Sequence, residues 1–382
     1  MRITDLDKRL DGDRIKVRAT VRWEECSRPD DEIFIATEAR FARDIEPNPH
    51  AFVVGALVPA LHFGERRIHM EAPVCPRLRQ GLQTVMDLFA HWSKGRMSPL
   101  ILELDAQTQA AHPNRHARAG LFLSGGIDSL ATLRCNRRRI PLTHPDAVRD
   151  LLIVHGFDIG GVIKSGAKYD VFDRAKAHMA AVAEDAGATL IPVHTNIRHL
   201  CDQRDLWLTY FFGAVLAAVG HAFTPRLHLV HIAASYPLAH LAPCGSHPLL
   251  DPLLGSTDLQ IHHCGTELSR MDKLRTVADW PAAFHNLRVC LANVPDRLNC
   301  GRCEKCVRTM TGLAALGRLA ETRAFVESDV TPDMFTPFKM TIRHREPFYR
   351  EMLAPLKAAG RHDLAAMIEE KLSTERKGAG KK

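Results

Sequence analysis

"GLFLSGGIDSLATLRC", residues 120–135, decides how this chain is read. Leu121, Phe122 and Leu123 form an apolar run that suits a buried strand end, whereas Leu130, Ala131 and Leu133 follow helical spacing. Between them lies Ser124-Gly125-Gly126-Ile127-Asp128-Ser129. Two glycines there let backbone N–H groups approach a ligand, and the start of a helix adds partial positive charge. Strand, glycine turn and helix N-terminus in that order suit a phosphate. The plain alternative is a glycine turn in which Ser124 or Asp128 merely caps the helix.

Working outward, the sequence after Gly120 alternates strands and helices. "GLFLS", "DLLIVHGFD", "TLIPVHT" and "LHLVHIAAS" read as strands, with helices over roughly 128–139, 169–187 and 204–221. That alternation predicts an α/β fold with a doubly wound parallel sheet over residues 116–320. Upstream, "RIKVRATVRW" (14–23) alternates polar and apolar residues without a fault, and "EIFIATEA", "RRIHMEA" and "LILELDA" are further strand candidates. With a helix from Pro76 to Trp92, residues 1–115 read as a β-rich module that carries no catalytic constellation. Residues 321–382 read as a helical extension ending in the basic tail "TERKGAGKK", expected to be solvated and disordered.

The chain has 382 residues, 46% apolar and 25% charged, the composition of an ordinary globular protein. Its net charge of +7 permits contact with nucleic acid or an anionic substrate without demanding either. The N-terminal stretch is charged and lacks the apolar core of a signal peptide. The most apolar run, "LWLTYFFGAVLAAVG" (206–220), is short for a bilayer and reads as a buried helix. With 10 cysteines and no secretory signal, the expectation is a cytoplasmic protein with thiols or metal ligands rather than disulfides, and no membrane partner.

Two familiar phosphate loops are excluded. "GGVIKS" (160–165) lacks the glycine that a Walker loop needs before Lys164, and G-x-G-x-x-G is absent after the first strand of the alternation. What remains, S-G-G-x-D-S, resembles the pyrophosphate-binding loop of the N-type ATP pyrophosphatases. The resemblance implies an adenine-nucleotide α-hydrolase-like fold that binds ATP and Mg²⁺, with Ser124, Gly125, Gly126, Ile127, Asp128 and Ser129 around the phosphates. It further implies that His155, Phe157 and Asp158, in "IVHGFDIGG", hold adenine and ribose. In "SRMDKLRTVADW" (269–280), Lys273 would reach the phosphates with Arg270 as its helper. Plain readings stand beside these: a core histidine or aromatic at 155–157, a solvated lysine at 273.

"VCLANVPDRLNCGRCEKCVRTM" places Cys290, Cys300, Cys303 and Cys306 in the spacing C-x9-C-x2-C-x2-C. Thiolates so spaced can close around a tetrahedral Zn²⁺ in a structural knuckle, with an iron–sulfur cluster as the rival. His262, His263 and Cys264 form a second soft-ligand group, read as a strand end. Loop and knuckle together resemble the 7-cyano-7-deazaguanine synthases over residues 118–315. Those enzymes adenylate a carboxylate and convert it to an amide and then a nitrile with ammonia. Residues 1–115 and the C-terminal helices have no counterpart there, and "ASYPLAHLAPCGSHPLLDPLLGST" matches no deazapurine pocket.

The resemblance therefore implies adenylation of a small carboxylate or modified base, with Ser124, Asp128 and Lys273 catalytic, then attack by ammonia or another nucleophile. Asp128 would orient the loop or hold Mg²⁺. Cys244, Ser246, His247 and Asp251, expected beyond the fourth strand of the alternation, are candidate substrate contacts, although proline and glycine punctuation also explains that loop. Two other readings are carried. One is a sulfur transferase on RNA or a small molecule, for which Cys244 is better placed than Cys201, although no RNA-binding module is visible. The other is a non-catalytic nucleotide-binding assembly subunit. A homodimer is compatible with all of them.

Overall fold

The computed structural model describes residues 1–106, 118–162, 166–342 and 345–379. The boundary expected near 115, Lys164 and the last tail residues lie outside these. Five strands precede the glycine loop's own strand: β1 (Arg2–Asp11), β2 (Arg14–Arg22), β3 (Asp31–Glu38), β4 (Arg67–Val74) and β5 (Ile101–Ala106). Helices α1 (Pro49–His62) and α2 (Pro76–Trp92) accompany them. Then follow β6 (Ala119–Phe122), α3 (Ile127–Arg139), β7 (Val148–His155), α4 (Tyr169–Asp185) and β8 (Thr189–Thr195). Helix α5 (Arg204–Leu206) passes through a π-helical turn, Trp207–Phe211, into α6 (Phe212–Ala222), and β9 (Leu229–Ala233) and β10 (Gln260–Cys264) complete the strands.

All ten strands belong to one sheet, in the order β10-β9-β6-β7-β8-β3-β2-β1-β4-β5. From β10 to β8 every neighbour is parallel. β3 then joins β8 antiparallel, with Ile35 opposite Thr195 and Thr37 opposite Val193. Side chains fasten that seam: Thr37 Oγ1 donates to the Pro192 carbonyl at 2.6 Å, and Thr195 Oγ1 to the Phe34 carbonyl at 2.7 Å. The sheet and its core thus run without a break from the early strands into the strand–helix alternation.

The parallel strands are apolar on both faces because both are covered. Leu121, Leu151 and Ile153 enter one core with α3 and α4, while Phe122, Leu152 and Val154 enter the other with α1 and α6. On β2 only one face is buried, through Ile15, Val17, Ala19 and Val21, so its alternation is clean. Among the described residues one helix is long and apolar enough to cross a membrane, Arg204–Ala222, and 72% of it is buried in the fold.

The last helices are α7 (Arg270–Ala278), α8 (Pro281–His285), α9 (Glu304–Ala315), α10 (Glu346–Ala358) and α11 (His362–Ala379). Tyr349, Met352, Leu356, Leu364 and Ile368 pack into the core that holds α3. One expectation needs correction: the described part of the tail, residues 374–379, is helical as the last turns of α11. Leu364, Ile368 and Leu372 give α11 a buried stripe at helical spacing, and its last turn carries Arg376 and Lys377, favourable at a helix C-terminus.

Candidate functional site

Sheet order reverses between β6 and β9, which leave β6 in opposite directions across the sheet, the place where open α/β folds bind ligands at the strands' carboxyl ends. The glycine loop sits there. Gly125 has φ +78°, and a Cβ on it would lie 3.2 Å from Arg288 Cβ and Met179 Cε, so the turn needs glycine. Its carbonyl accepts from the Arg288 backbone N–H at 2.8 Å. Ser124 Oγ accepts from Gly126 N at 3.3 Å, and Ser129 Oγ donates to the Gly126 carbonyl at 3.1 Å. The serines therefore shape the turn, but neither Ser124 nor Asp128 caps the helix. The N-cap is Gly126, so no side chain caps the first turn of α3.

Charge concentrates beside that helix start. Arg270 donates to Asp128 Oδ2 at 2.6 Å, and Lys273 Nζ lies 3.5 Å from Oδ1 while donating to the Ala234 carbonyl at 2.6 Å. Burial alone would raise the Asp128 carboxyl, but the charges of Arg270 and Lys273 outweigh it and hold it below its usual value. Lys273 is only 2% exposed, beneath the loop rather than in solvent, and burial lowers its pKa against the pull of Asp128. The Ser269–Asp272 capping box sets this helix start, fixing Arg270 and Lys273 one turn apart on the same side.

Three further cations converge here that the sequence reading did not single out. Arg288 is buried, with its Nη2 on Asn293 Oδ1 at 2.9 Å, and burial lowers its pKa against the charges of Asp158 and Cys290. Lys305 is lowered by burial too, with Asp158 opposing and Arg270 and Arg308 reinforcing. Arg308 lies 4.6 Å over the Phe348 ring and 3.3 Å from Glu304. Their signal was weak because all three belong to the cysteine segment and its helix, far from the loop in sequence.

At the end of β7 the expected residues separate. His155 is fully buried, stacks on Tyr169 at 4.7 Å and has no hydrogen-bond partner at either ring nitrogen among the described residues. Burial pulls its pKa down to about 4, so it is neutral at pH 7. Phe157 packs against Trp207 at 5.1 Å. Asp158 is exposed, 3.7 Å from Arg198.

Beyond β9 a narrow cleft, with room for little more than a water molecule, lies between Phe212, Tyr236, Cys244, Ser246, His247 and His263. The π-helical turn builds its wall. Gly245 N donates to the Leu208 carbonyl at 3.0 Å, and Gly213 N donates to the Gly245 carbonyl at 3.0 Å. A Cβ on Gly213 would fall 2.1 Å from that same carbonyl oxygen, so the loop can seat only on glycine. Asp251, fully buried, holds the pocket floor: Ser246 Oγ donates to its Oδ2 at 2.6 Å, His263 Nδ1 lies 2.8 Å from Oδ2, and His247 N donates to Oδ1 at 3.2 Å. The structure thus brings Cys244, Ser246, His247 and Asp251 together and adds His263, on the strand where only a soft-ligand group was noticed. Burial pushes the Cys244 thiol up.

Cys290, Cys300, Cys303 and Cys306 form a cluster whose sulfurs all lie within 4.8 Å of one another, a set that can hold a metal ion such as zinc. Sγ separations of 3.5 Å (Cys303–Cys306) and 3.9 Å (Cys300–Cys306, Cys290–Cys303) bracket the roughly 3.8 Å edge of a tetrahedron with 2.3 Å zinc–sulfur bonds. Backbone N–H groups of Ala292 and Cys303 point at Cys290 and Cys300 sulfurs, both at 3.3 Å, favouring thiolates. Hydrogen bonds from Cys303 and Cys306 hold the Cys290 thiol well below its usual range. Asn299 locks the knuckle to the loop's support, accepting from Val289 N and donating to the Leu287 carbonyl, both at 2.8 Å.

No protein-family model matches the chain, and neither curated proteins nor solved structures give a match.

Proposed function

We propose that the chain is an ATP-dependent adenylating enzyme of the N-type ATP pyrophosphatase kind, with an adenine-nucleotide α-hydrolase-like core. One observation carries this reading: an uncapped helix start behind a glycine turn at the switch point, facing Arg270, Lys273, Arg288, Lys305 and Arg308. Buried cations with incomplete counter-charge are costly, and a polyphosphate relieves that cost. The loop's N–H groups would receive the leaving pyrophosphate, and Arg270 and Lys305 would neutralise its developing charge. Asp128 is committed to Arg270, so its part is to orient that cation. The more exposed Asp158 is the better candidate ligand for Mg²⁺ on the phosphates.

The acceptor is a carboxylate or modified base in the adjoining pocket, and ammonia is the simplest second nucleophile. The cysteine cluster is read as structural Zn²⁺. Its four sulfurs fill the tetrahedron, while a cuboidal iron–sulfur cluster interposes its own sulfides and needs thiolates spread more widely. Sulfur transfer is disfavoured, because a buried Cys244 stays a protonated thiol at neutral pH. Pyrophosphate release across a panel of carboxylic and nucleobase acids, with and without ammonium, tests the proposal. Release that requires both ATP and one acid supports it. Nucleotide binding without turnover on any acid would favour the assembly-subunit reading.

A further inference from the structure

We propose that His263 is the general base of the second half-reaction, taking a proton at Nε2 from the nucleophile that attacks the acyl-adenylate. The assignment rests on the adenylation reading above. His263 Nδ1 is fixed 2.8 Å from Asp251 Oδ2, with Ser246 Oγ 3.2 Å away. An ionised carboxylate accepts, so Nδ1 carries the hydrogen and Nε2 is left with its lone pair. Nε2 has no hydrogen-bond partner among the described residues. The side chain is 4% exposed and its ring lines the pocket.

Asp251 fixes the orientation of this ring through its hydrogen bond to Nδ1. It is fully buried, and among the described residues its one ion-pair partner is His263. That contact sets the ring in the pocket wall with Nδ1 turned to the carboxylate, the arrangement by which an acid orients a catalytic histidine. His247 accepts from Leu249 N at its Nδ1, and burial disfavours its charged form. Burial likewise raises Cys244 and Tyr236.

The pocket also adjoins the phosphate crevice. Ala234, whose carbonyl anchors Lys273, is followed directly by Ser235 and Tyr236 in the pocket wall. Tyr236 stacks on Phe348 at 5.5 Å, and Arg308 lies over the other partner of that stack. With ammonia as nucleophile, a nitrogen–carbon bond forms and the carbon–oxygen bond to AMP breaks. The electron pair leaves on the phosphate oxygen, and the surplus proton on nitrogen passes to Nε2.

The two half-reactions can be read separately in the full-length protein. With whichever acid of the panel supports ATP–pyrophosphate exchange, His263→Asn is read as the ratio of release to exchange, because the ring also lines the pocket of the acid. Ammonium-dependent AMP release should fall on the order of 10²–10⁴-fold. Hydroxylamine, largely a free base at neutral pH, should restore release. Asp251→Asn, which removes the charge and replaces one acceptor oxygen with a donor NH2, should show the same split more weakly, and covers the case of a His263 variant that does not fold. Undiminished ammonium-dependent release in His263→Asn, or exchange and release lost in parallel in both variants, overturns the base assignment alone. Absence of exchange with every acid in the unsubstituted protein overturns the adenylation reading and this assignment with it.

Discussion

Cys290, Cys300, Cys303 and Cys306 answer one another, whereas Asp128 and the cations around it do not. The cysteine sulfurs are mutually spaced to close on a single ion, and nearby backbone N–H groups serve the rest of their demand. Around the glycine loop, Arg270, Lys273, Lys305 and Arg308 share Asp128 and Glu304, and the first turn of α3 is uncapped. A region that satisfies itself is a scaffold; one that carries unspent charge and N–H groups is waiting for a ligand. The two are joined. The cysteine segment brings Arg288 and Lys305 to the loop, and the Arg288 N–H holds the Gly125 carbonyl.

The largest effect should come from breaking the self-satisfied region. Cys303→Ser, or stripping the metal with a chelator, removes an ion whose binding is worth on the order of 10 kcal/mol in small structural zinc sites. Soluble protein should collapse and thermal unfolding should shift sharply downward, with one zinc per chain in the intact protein by elemental analysis. Iron and sulfide with brown absorbance, or an unaltered melt after metal loss, would separate the cluster from the fold.

Next comes the region that waits. Gly126, unlike Gly125, has ordinary backbone angles, and a Cβ on it meets only Ser124 Oγ within 3.2 Å. Gly126→Val should therefore fold and yet abolish nucleotide turnover, because its side chain occupies the phosphate approach. Ser124→Ala, Arg270→Ala and Lys305→Ala should each cost roughly 2–4 kcal/mol in kcat/KM. Steady-state pyrophosphate release measures all four. Parental rates in these variants would mean that the crevice is not the reaction site.

Acid should loosen the crevice as well as the knuckle, whose cysteines hold a metal only as thiolates. The Asp128 carboxyl is held below its ordinary value by Arg270 and Lys273 against its burial, so its pairing stabilises the native state above the ordinary carboxyl pKa and is lost as pH falls through the depressed value. Asp128→Asn should lower stability at neutral pH and flatten its decline below about pH 4. Melting curves from pH 3 to 7 (about the span that matters here) test the sign. The smallest effect is expected from Cys244→Ala. A protonated thiol on the pocket wall contributes packing, so turnover should drop only a few-fold. Complete loss with ATP binding intact would revive covalent sulfur chemistry.

How legible all this was in the sequence depends on what each element buries. The β2 alternation and the strand–turn–helix at 119–139 match their residues closely because each has a definite apolar period or turn chemistry. β1 was overlooked: charges fall on both faces and a bulge between Thr4 and Asp7, with Asp5 at φ +56°, breaks its period. α1 was overlooked for the opposite reason, since it is buried all round and contains Pro59. The cysteine set was readable from spacing. Arg288 and Lys305 were not, because only the folded knuckle turns them toward the loop.

The most direct test is where ATP is cut. A glycine turn without a Walker lysine, facing cations from α7 and the knuckle, suits a departing pyrophosphate rather than a γ-phosphate presented for transfer. Chromatography of a quenched, acid-dependent reaction should show AMP and pyrophosphate in equal amounts. ADP and phosphate as the main products would contradict the account.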